Sequence, residues 1–148
     1  MKTILLAAIL FTALSVTAQS DEDSIKSTIQ HFFAGMKNAD TVLLKSTLAK
    51  TAILHTVAGA TDQTIVKDEK ISEFVAFVGK QNAGDADEQI EFETLKTDGI
   101  LATVWTPYKF YYKGNFSHCG VNSFQLVKLD SGWKIQYIID TRRKTGCL

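Results

Sequence analysis

The chain has 148 residues, 45% of them hydrophobic and 22% charged, with 16 Lys and Arg balancing 16 Asp and Glu. That length suits one domain with a real core, and a formal charge of zero supplies no basic field for nucleic acid. Nine phenylalanines argue against a disordered chain, and two cysteines are too few for a disulfide-dense scaffold or a four-cysteine zinc site.

Residues 1–18 read as an address. Lys2 gives a positive start, Ile4–Leu14 is an apolar run broken only by Thr12, and Val16-Thr17-Ala18 places small residues before Gln19. Those parts in that order make a secretory signal peptide cleaved near Ala18. A run this short does not cross roughly 30 Å of hydrocarbon. The expectation is an exported protein, periplasmic or extracellular, with no membrane association once cleaved. Residues 19–148 then form a single domain.

The domain opens with helices. Asp21-Glu22-Asp23-Ser24 puts acids and a capping residue ahead of Ile25, Ile29, Phe32, Phe33 and Met36, a stripe of helical spacing. Asp40 caps a short second helix bearing Val42, Leu43, Leu44 and Leu48. Thr51–Val57 is β-branched and apolar, a first strand; Gly59 to Gln63 is a loop, and Thr64–Val66 adds a short strand. Asp68 caps a third helix with Ile71, Phe74, Val75 and Val78 on one face, stopped at Gly79. Lys80–Asp87 is polar and aperiodic.

Everything after is strand-like. Glu88–Lys96 alternates through Ile90, Phe92 and Thr94, Asp98-Gly99 signals a hairpin, and Ile100–Tyr112, Phe116–Leu129 and Trp133–Arg142 follow. Pro107 marks a bulge or an edge. Helices followed by a long antiparallel meander give an α+β domain.

Register decides which side chains meet. A three-residue Lys113-Gly114-Asn115 loop with Asn115 left-handed sets Tyr112 against Phe116, Phe110 against His118, Tyr108 against Gly120, Thr106 against Asn122 and Val104 against Phe124. In the last hairpin, Leu129 opposite Gly132 sets Leu126 by Ile135, Phe124 by Tyr137, Asn122 by Ile139 and Cys119 by Arg142. One face then carries Val104, Tyr108, Phe110, Phe124, Leu126, Ile135, Tyr137 and Ile139, with Thr106, His118 and Asn122 among them. An apolar face with a few convergent polar groups is the makeup of a small-molecule pocket.

With this element order, the runs Trp105–Tyr111, Phe116–Lys128, Gly132–Ile135 and Asp140–Arg143 resemble the nuclear-transport-factor-2-like superfamily, in particular its bacterial branch labelled lumazine-binding. The resemblance spans about Asp21 to Cys147 and is most specific in the last sixty or so residues. It implies a cone-shaped fold, a curved antiparallel sheet wrapped over about three helices of the N-terminal half around a pocket. It also implies a homodimer. Relatives include ketosteroid isomerase, polyketide cyclases, dehydratases and non-catalytic binding domains, so fold does not fix function.

His118 is the first candidate for acid–base chemistry, since imidazole titrates near neutral pH; its bland alternative is a packed histidine. Relatives that isomerise or dehydrate use a pocket Asp or His. Alternation places Asp140 on the opposite face, so it serves catalysis only if a bulge re-aims it inward; otherwise it pairs with Arg142 or Arg143. His55, Thr106, Tyr108, Phe110, His118, Asn122, Phe124 and Tyr137 are the candidate ligand-binding residues, although strand aromatics and histidines are more often core. Trp105 also offers a stacking surface, and His31 is given no role.

Cys119 and Cys147 invite a disulfide on an oxidising route, through Gly146. A nucleophilic Cys119 beside His118 is disfavoured, because adjacent strand residues point to opposite faces. The same objection removes a zinc site from His118, Cys119 and His55. With no glycine-rich phosphate loop and no nucleophile elbow, no metal and no cofactor are expected. The favoured reading is an exported domain that binds a small, largely apolar or aromatic ligand. The alternatives are an isomerase or dehydratase using His118 with Asp140 or His55, and a protein-interaction module with a filled cone.

Overall fold

The computed structural model describes residues 20–59 and 63–147, so the leader and the middle of the Gly59–Gln63 loop lie outside the described residues. The elements are α1 (Asp21–Lys37), α2 (Thr41–Ser46), β1 (Leu48–Ala58), β2 (Ile65–Asp68), α3 (Ile71–Val78), β3 (Ala86–Ile90), β4 (Thr94–Asp98), β5 (Leu101–Tyr112), β6 (Asn115–Leu129) and β7 (Gly132–Thr141).

Helix α1 starts earlier than its first apolar residue. Its cap is Ser20, whose hydroxyl accepts from the Asp23 amide at 3.1 Å, and the acids Asp21, Glu22 and Asp23 occupy the first turn, where the helix dipole favours them. The stripe Ile25, Ile29, Phe32, Phe33 and Met36 is buried as its spacing requires. Asp40 caps α2, accepting from the amides of Val42 and Leu43. The two helices cross closely at Gly35, where a Cβ would sit 2.7 Å from the Leu44 amide nitrogen. Asp68 does not cap α3. It ends β2, and α3 begins after Lys70 with no side-chain cap.

The seven strands form one curved sheet in the order β2-β1-β7-β6-β5-β3, with β4 also pairing along β5. All pairs are antiparallel except β1 with β7, which is parallel. The meander therefore closes onto a strand from the other end of the chain, and the long intervening connection permits that direction. The alternating run Glu88–Lys96 is two strands, not one. The ladder steps from Ile90 opposite Tyr108 to Thr94 opposite Trp105, an extra residue on the edge side next to Pro107. Proline has no N–H to give a neighbour, so the ladder is broken there.

Two further bulges set the faces. The β5–β6 turn has two residues, Lys113 and Gly114, both left-handed at φ 51° and 76°. Tyr112 therefore faces Asn115 rather than Phe116, and Asn115 is not the left-handed residue. Ser117 then bulges, and from Phe110 opposite His118 onward the pairs Tyr108–Gly120, Thr106–Asn122 and Val104–Phe124 stand as expected. A two-residue turn plus one bulged residue has the same arithmetic as a three-residue loop.

In the β6–β7 hairpin, Leu126 pairs with Ile135 but Gln125 pairs with Tyr137, leaving Gln136 extra. Its side chain is held by β1, donating to the Thr51 carbonyl at 2.8 Å. Past this bulge Phe124 meets Ile138, Asn122 meets Asp140, and Cys119 bridges to Arg143. Ile138, Asp140 and Arg142 thus turn toward the helices, while Tyr137 and Ile139 turn outward.

The core lies between the concave face and the helices, with Ile25, Ile29, Leu44, Val78, Phe124, Leu126 and Ile135 fully buried. Each such side chain contributes on the order of 2 kcal/mol by leaving water. The Cys119–Cys147 disulfide ties the segment after β7 back to β6.

Candidate functional site

The cone is not filled. A cavity of about 380 Å³ lies between the concave sheet and helices α1 and α3. Phe32, Phe33 and Met36 come from α1, Glu73, Phe74 and Phe77 from α3, and Leu54 and Glu69 from β1 and the β2–α3 link. The sheet supplies Glu88, Phe110, His118, Asn122, Ile138 and Asp140, with Arg142 just beyond β7. Phe32 stacks on Phe74 with ring centroids 5.8 Å apart, so the two helices share an aromatic wall.

The polar groups gather on the sheet side. Asp140, 6% exposed, accepts from the Thr56 hydroxyl at 2.6 Å and the Arg142 Nε at 2.9 Å, and the Tyr108 hydroxyl reaches it at 3.1 Å. Arg142 Nη2 in turn donates to Thr56 Oγ1 at 2.9 Å, closing a ring. Burial works against the Arg142 charge, and the charge and hydrogen bond of Asp140 more than offset it, raising its pKa. Asp140 is therefore a saturated anchor rather than a free base.

Tyr108 crosses over Gly120. A Cβ at Gly120 would collide with the Thr141 carbonyl oxygen and stand 2.8 Å from the Tyr108 ring. The glycine lets the phenol lie flat and reach both Asp140 and, at 2.9 Å, the Thr141 carbonyl. Burial, then the negative charges of Asp140 and Glu88, hold this hydroxyl protonated.

Asn122 Nδ2 donates to Glu88 Oε1 at 2.8 Å and sits 3.4 Å from Thr106 Oγ1. Glu88 is half-buried and borders the cavity. Desolvation pushes its carboxyl up to about 8, against the pull of the Asn122 hydrogen bond, and the charge of Asp140 adds to the rise. His118 moves the other way: burial and the Arg142 charge lower it, with Asp140 opposing. Its Nδ1 pairs with Ser117 Oγ at 3.1 Å, and its ring packs against Phe110 and edge-on to Tyr108.

Of the residues singled out from the sequence, Phe110, His118, Asn122 and Asp140 border the cavity. Thr106 and Tyr108 lie beneath it as supports, and Phe124 is core. His55 and Tyr137 are elsewhere. The Gln136 bulge and strand alternation put them on the outer face, where His55 Nδ1 meets the Tyr137 hydroxyl at 3.0 Å and Nε2 lies 3.9 Å from Asp68. Glu88, Thr56 and Arg142 were not among the candidates, yet each had a signal. Glu88 is in phase with Ile90 and Phe92, Thr56 with Leu54, and Arg142 with Asp140.

No family model matches the chain, and no curated protein does. Solved structures do. A protein of unknown function from Shewanella baltica, described as NTF2-like, superposes with a TM-score of 0.65 at 13% identity, over 84% of this chain and 95% of that one. The fold is nuclear-transport-factor-2-like. A second such protein, from Methylobacillus flagellatus, gives 0.61 at 16% identity, over 88% and 99% of the two chains. A Nostoc punctiforme domain of unknown function with a cystatin-like fold gives 0.66 at 17% identity, over 88% and 82%. These likenesses establish the architecture and leave the pocket chemistry to the residues of this chain.

Proposed function

We propose that this NTF2-like domain is an exported protein that binds a small, largely apolar or aromatic molecule. The cavity carries this reading: an aromatic and aliphatic wall from α1 and α3 faces a short set of oriented polar groups on the sheet, the composition of a ligand pocket. The leader-like sequence of residues 1–18 supports export. The test has two parts. Native mass spectrometry of the purified mature protein, before and after denaturation, looks for a released small molecule. Titration with N-phenyl-1-naphthylamine, a neutral aromatic probe, measures uptake. Saturable uptake that is lost in Ile138→Trp is expected. A folded protein with no released molecule and no uptake refutes the reading.

A homodimer through the outer sheet face belongs to the same proposal. Ile53, Leu101 and Trp105 are between 44% and 49% exposed there, apolar side chains that a second copy would cover. The native spectrum gives the mass that decides it.

One observation favours a second reading, an isomerase or dehydratase. Glu88 and His118 flank Phe110 on one row of the sheet, and their environments favour a protonated carboxyl beside a neutral imidazole. That is an acid and a base at the same pH. Neither partner assigned to His118 from sequence serves, since Asp140 is saturated and His55 is outside. Deuterium incorporation from solvent into 2-tetralone, lost in His118→Ala, is the signature of this reading, and its absence opposes it.

A further inference from the structure

We propose that the ligand of this cavity is an organic cation, an amine on an apolar body, whose ammonium group sits against Glu88 among the phenylalanine rings. The inference rests on the binding reading above and names the ligand class.

Charge balance comes first. Four carboxylates border the cavity, those of Glu69, Glu73, Glu88 and Asp140, against one guanidinium, Arg142. Asp140 takes that guanidinium through a 2.9 Å hydrogen bond, and Glu73 has Lys70 at 3.5 Å on the open side. Among the described residues neither Glu88 nor Glu69 forms an ion pair, and Glu88 is the one of the two on the sheet, beside Asn122. One of its oxygens receives the Asn122 amide, and the other has none. No buried side-chain oxygen among the described residues lacks a partner, so that free oxygen has open surface, and the space Glu88 borders is the cavity.

The rest of the wall suits the same guest. Phe32, Phe33, Phe74, Phe77 and Phe110 all line the cavity. Ring faces carry negative electrostatic potential and attract cations, the more so where water is thin. An anionic ligand would meet Glu88, Glu69 and the ring faces with only an occupied guanidinium to receive it. A neutral guest would gain no charge pairing from Glu88, whereas an ammonium gains it as the carboxyl ionises.

Binding is then coupled to Glu88 ionisation. The groups that act on Glu88 are Asn122, Asp140 and Arg142, with Tyr108, His118 and Glu69 around the same cavity; Lys37 of α1 is engaged with Asp87 at 3.0 Å. An amine probe stays protonated across the range of interest. Its affinity therefore rises with pH until Glu88 is ionised, by at most tenfold per pH step of one.

The experiment compares 4-phenylbutylamine, 4-phenylbutanol and 4-phenylbutyrate by calorimetry on the mature protein, disulfide intact, from pH 6 to 9. The expected result is amine binding at least tenfold tighter than the alcohol at pH 8. Glu88→Gln should abolish that preference and its pH dependence while keeping alcohol binding and a normal circular dichroism spectrum. Equal affinity for all three, tightest binding of the carboxylate, or an unchanged amine preference in Glu88→Gln overturns the cation inference and leaves the pocket standing. If none of the three binds, the pocket reading itself falls, and the inference with it.

Discussion

Glu88→Gln also tests the unliganded site, through stability alone. The substitution keeps an oxygen for the Asn122 amide and removes an ionisable group. In the unfolded chain the carboxyl titrates at 4.5, and in the fold at about 8. Below pH 4.5 both states hold the proton and the residue has no pH-dependent effect. Between 4.5 and about 8 the unfolded chain ionises first, so stability falls as pH rises; above about 8 the loss is complete. At about 1.4 kcal/mol per tenfold, the wild-type penalty approaches about 5 kcal/mol. Glu88 has open surface through the cavity, and water there lowers the figure, so a range of about 2–5 kcal/mol is expected.

The assay is urea denaturation of both proteins from pH 4 to 9.5 with the disulfide intact, plotted as the difference in unfolding free energy. His118, lowered by burial, loses stability as pH falls below its unfolded value, but it does so in both proteins and cancels. Glu88→Gln should match wild type near pH 4 and exceed it progressively to pH 9. A flat difference, or a variant less stable at pH 9, refutes the placement of this carboxyl in a desolvated, cation-free position.

Three further outcomes follow from the geometry. Asp140→Asn removes the charge that Arg142, Thr56 and Tyr108 converge on and should cost about 2–4 kcal/mol in denaturant melts; a loss under 1 kcal/mol would mean the ring of bonds is incidental. Gly120→Ala drives a methyl into the Thr141 carbonyl and the Tyr108 ring, and should destabilise by about 3 kcal/mol or more; a neutral effect, read by thermal melting, would contradict the close crossing. Cys147→Ser opens a loop of sequence separation 28 and should cost about 3–4 kcal/mol by chain entropy, while amine or alcohol binding survives because Asp140 and Thr56 still hold Arg142.

Legibility from the sequence followed the physics of each element. The α1 stripe, the Asp40 cap and the Phe110–His118 pairing were readable because apolar period and capping chemistry are local. The start of α1 and of α3 were misplaced for opposite reasons. The cap is Ser20, ahead of the acids, and not the Ser24 that stands just before the apolar stripe, while Asp68 was drawn into the β1–β2 ladder opposite His55. A strand pairing decided the second case, and no helix rule registers it.

The larger gap lies in β7. Trp133 to Thr141 alternates so that either face could be apolar: Tyr137 and Ile139 on one, Ile138 with Asp140 on the other. Perfect alternation selects the first. The fold selects the second by placing an extra residue, Gln136, where β1 also leaves register between Leu48 and Ile53. The cause lies on β1, the neighbouring strand in the sheet but some eighty residues distant in sequence, with Thr51 and Gln136 bonded across the pair. That single insertion brings Asp140 and Arg142 inside and sends Tyr137 out to His55. With those two charges inside and bonded to each other, the acids Glu88 and Glu69 of the cavity wall are left without an ion pair among the described residues. The same bulge that corrects the residue assignment therefore sets the charge of the pocket. Deleting Gln136 should reverse both: Asp140 would face solvent, the buried ring of hydrogen bonds would be lost, and the domain should lose several kcal/mol of stability together with any preference for amines. A deletion variant that melts like wild type would show that register, and the site built on it, is set elsewhere.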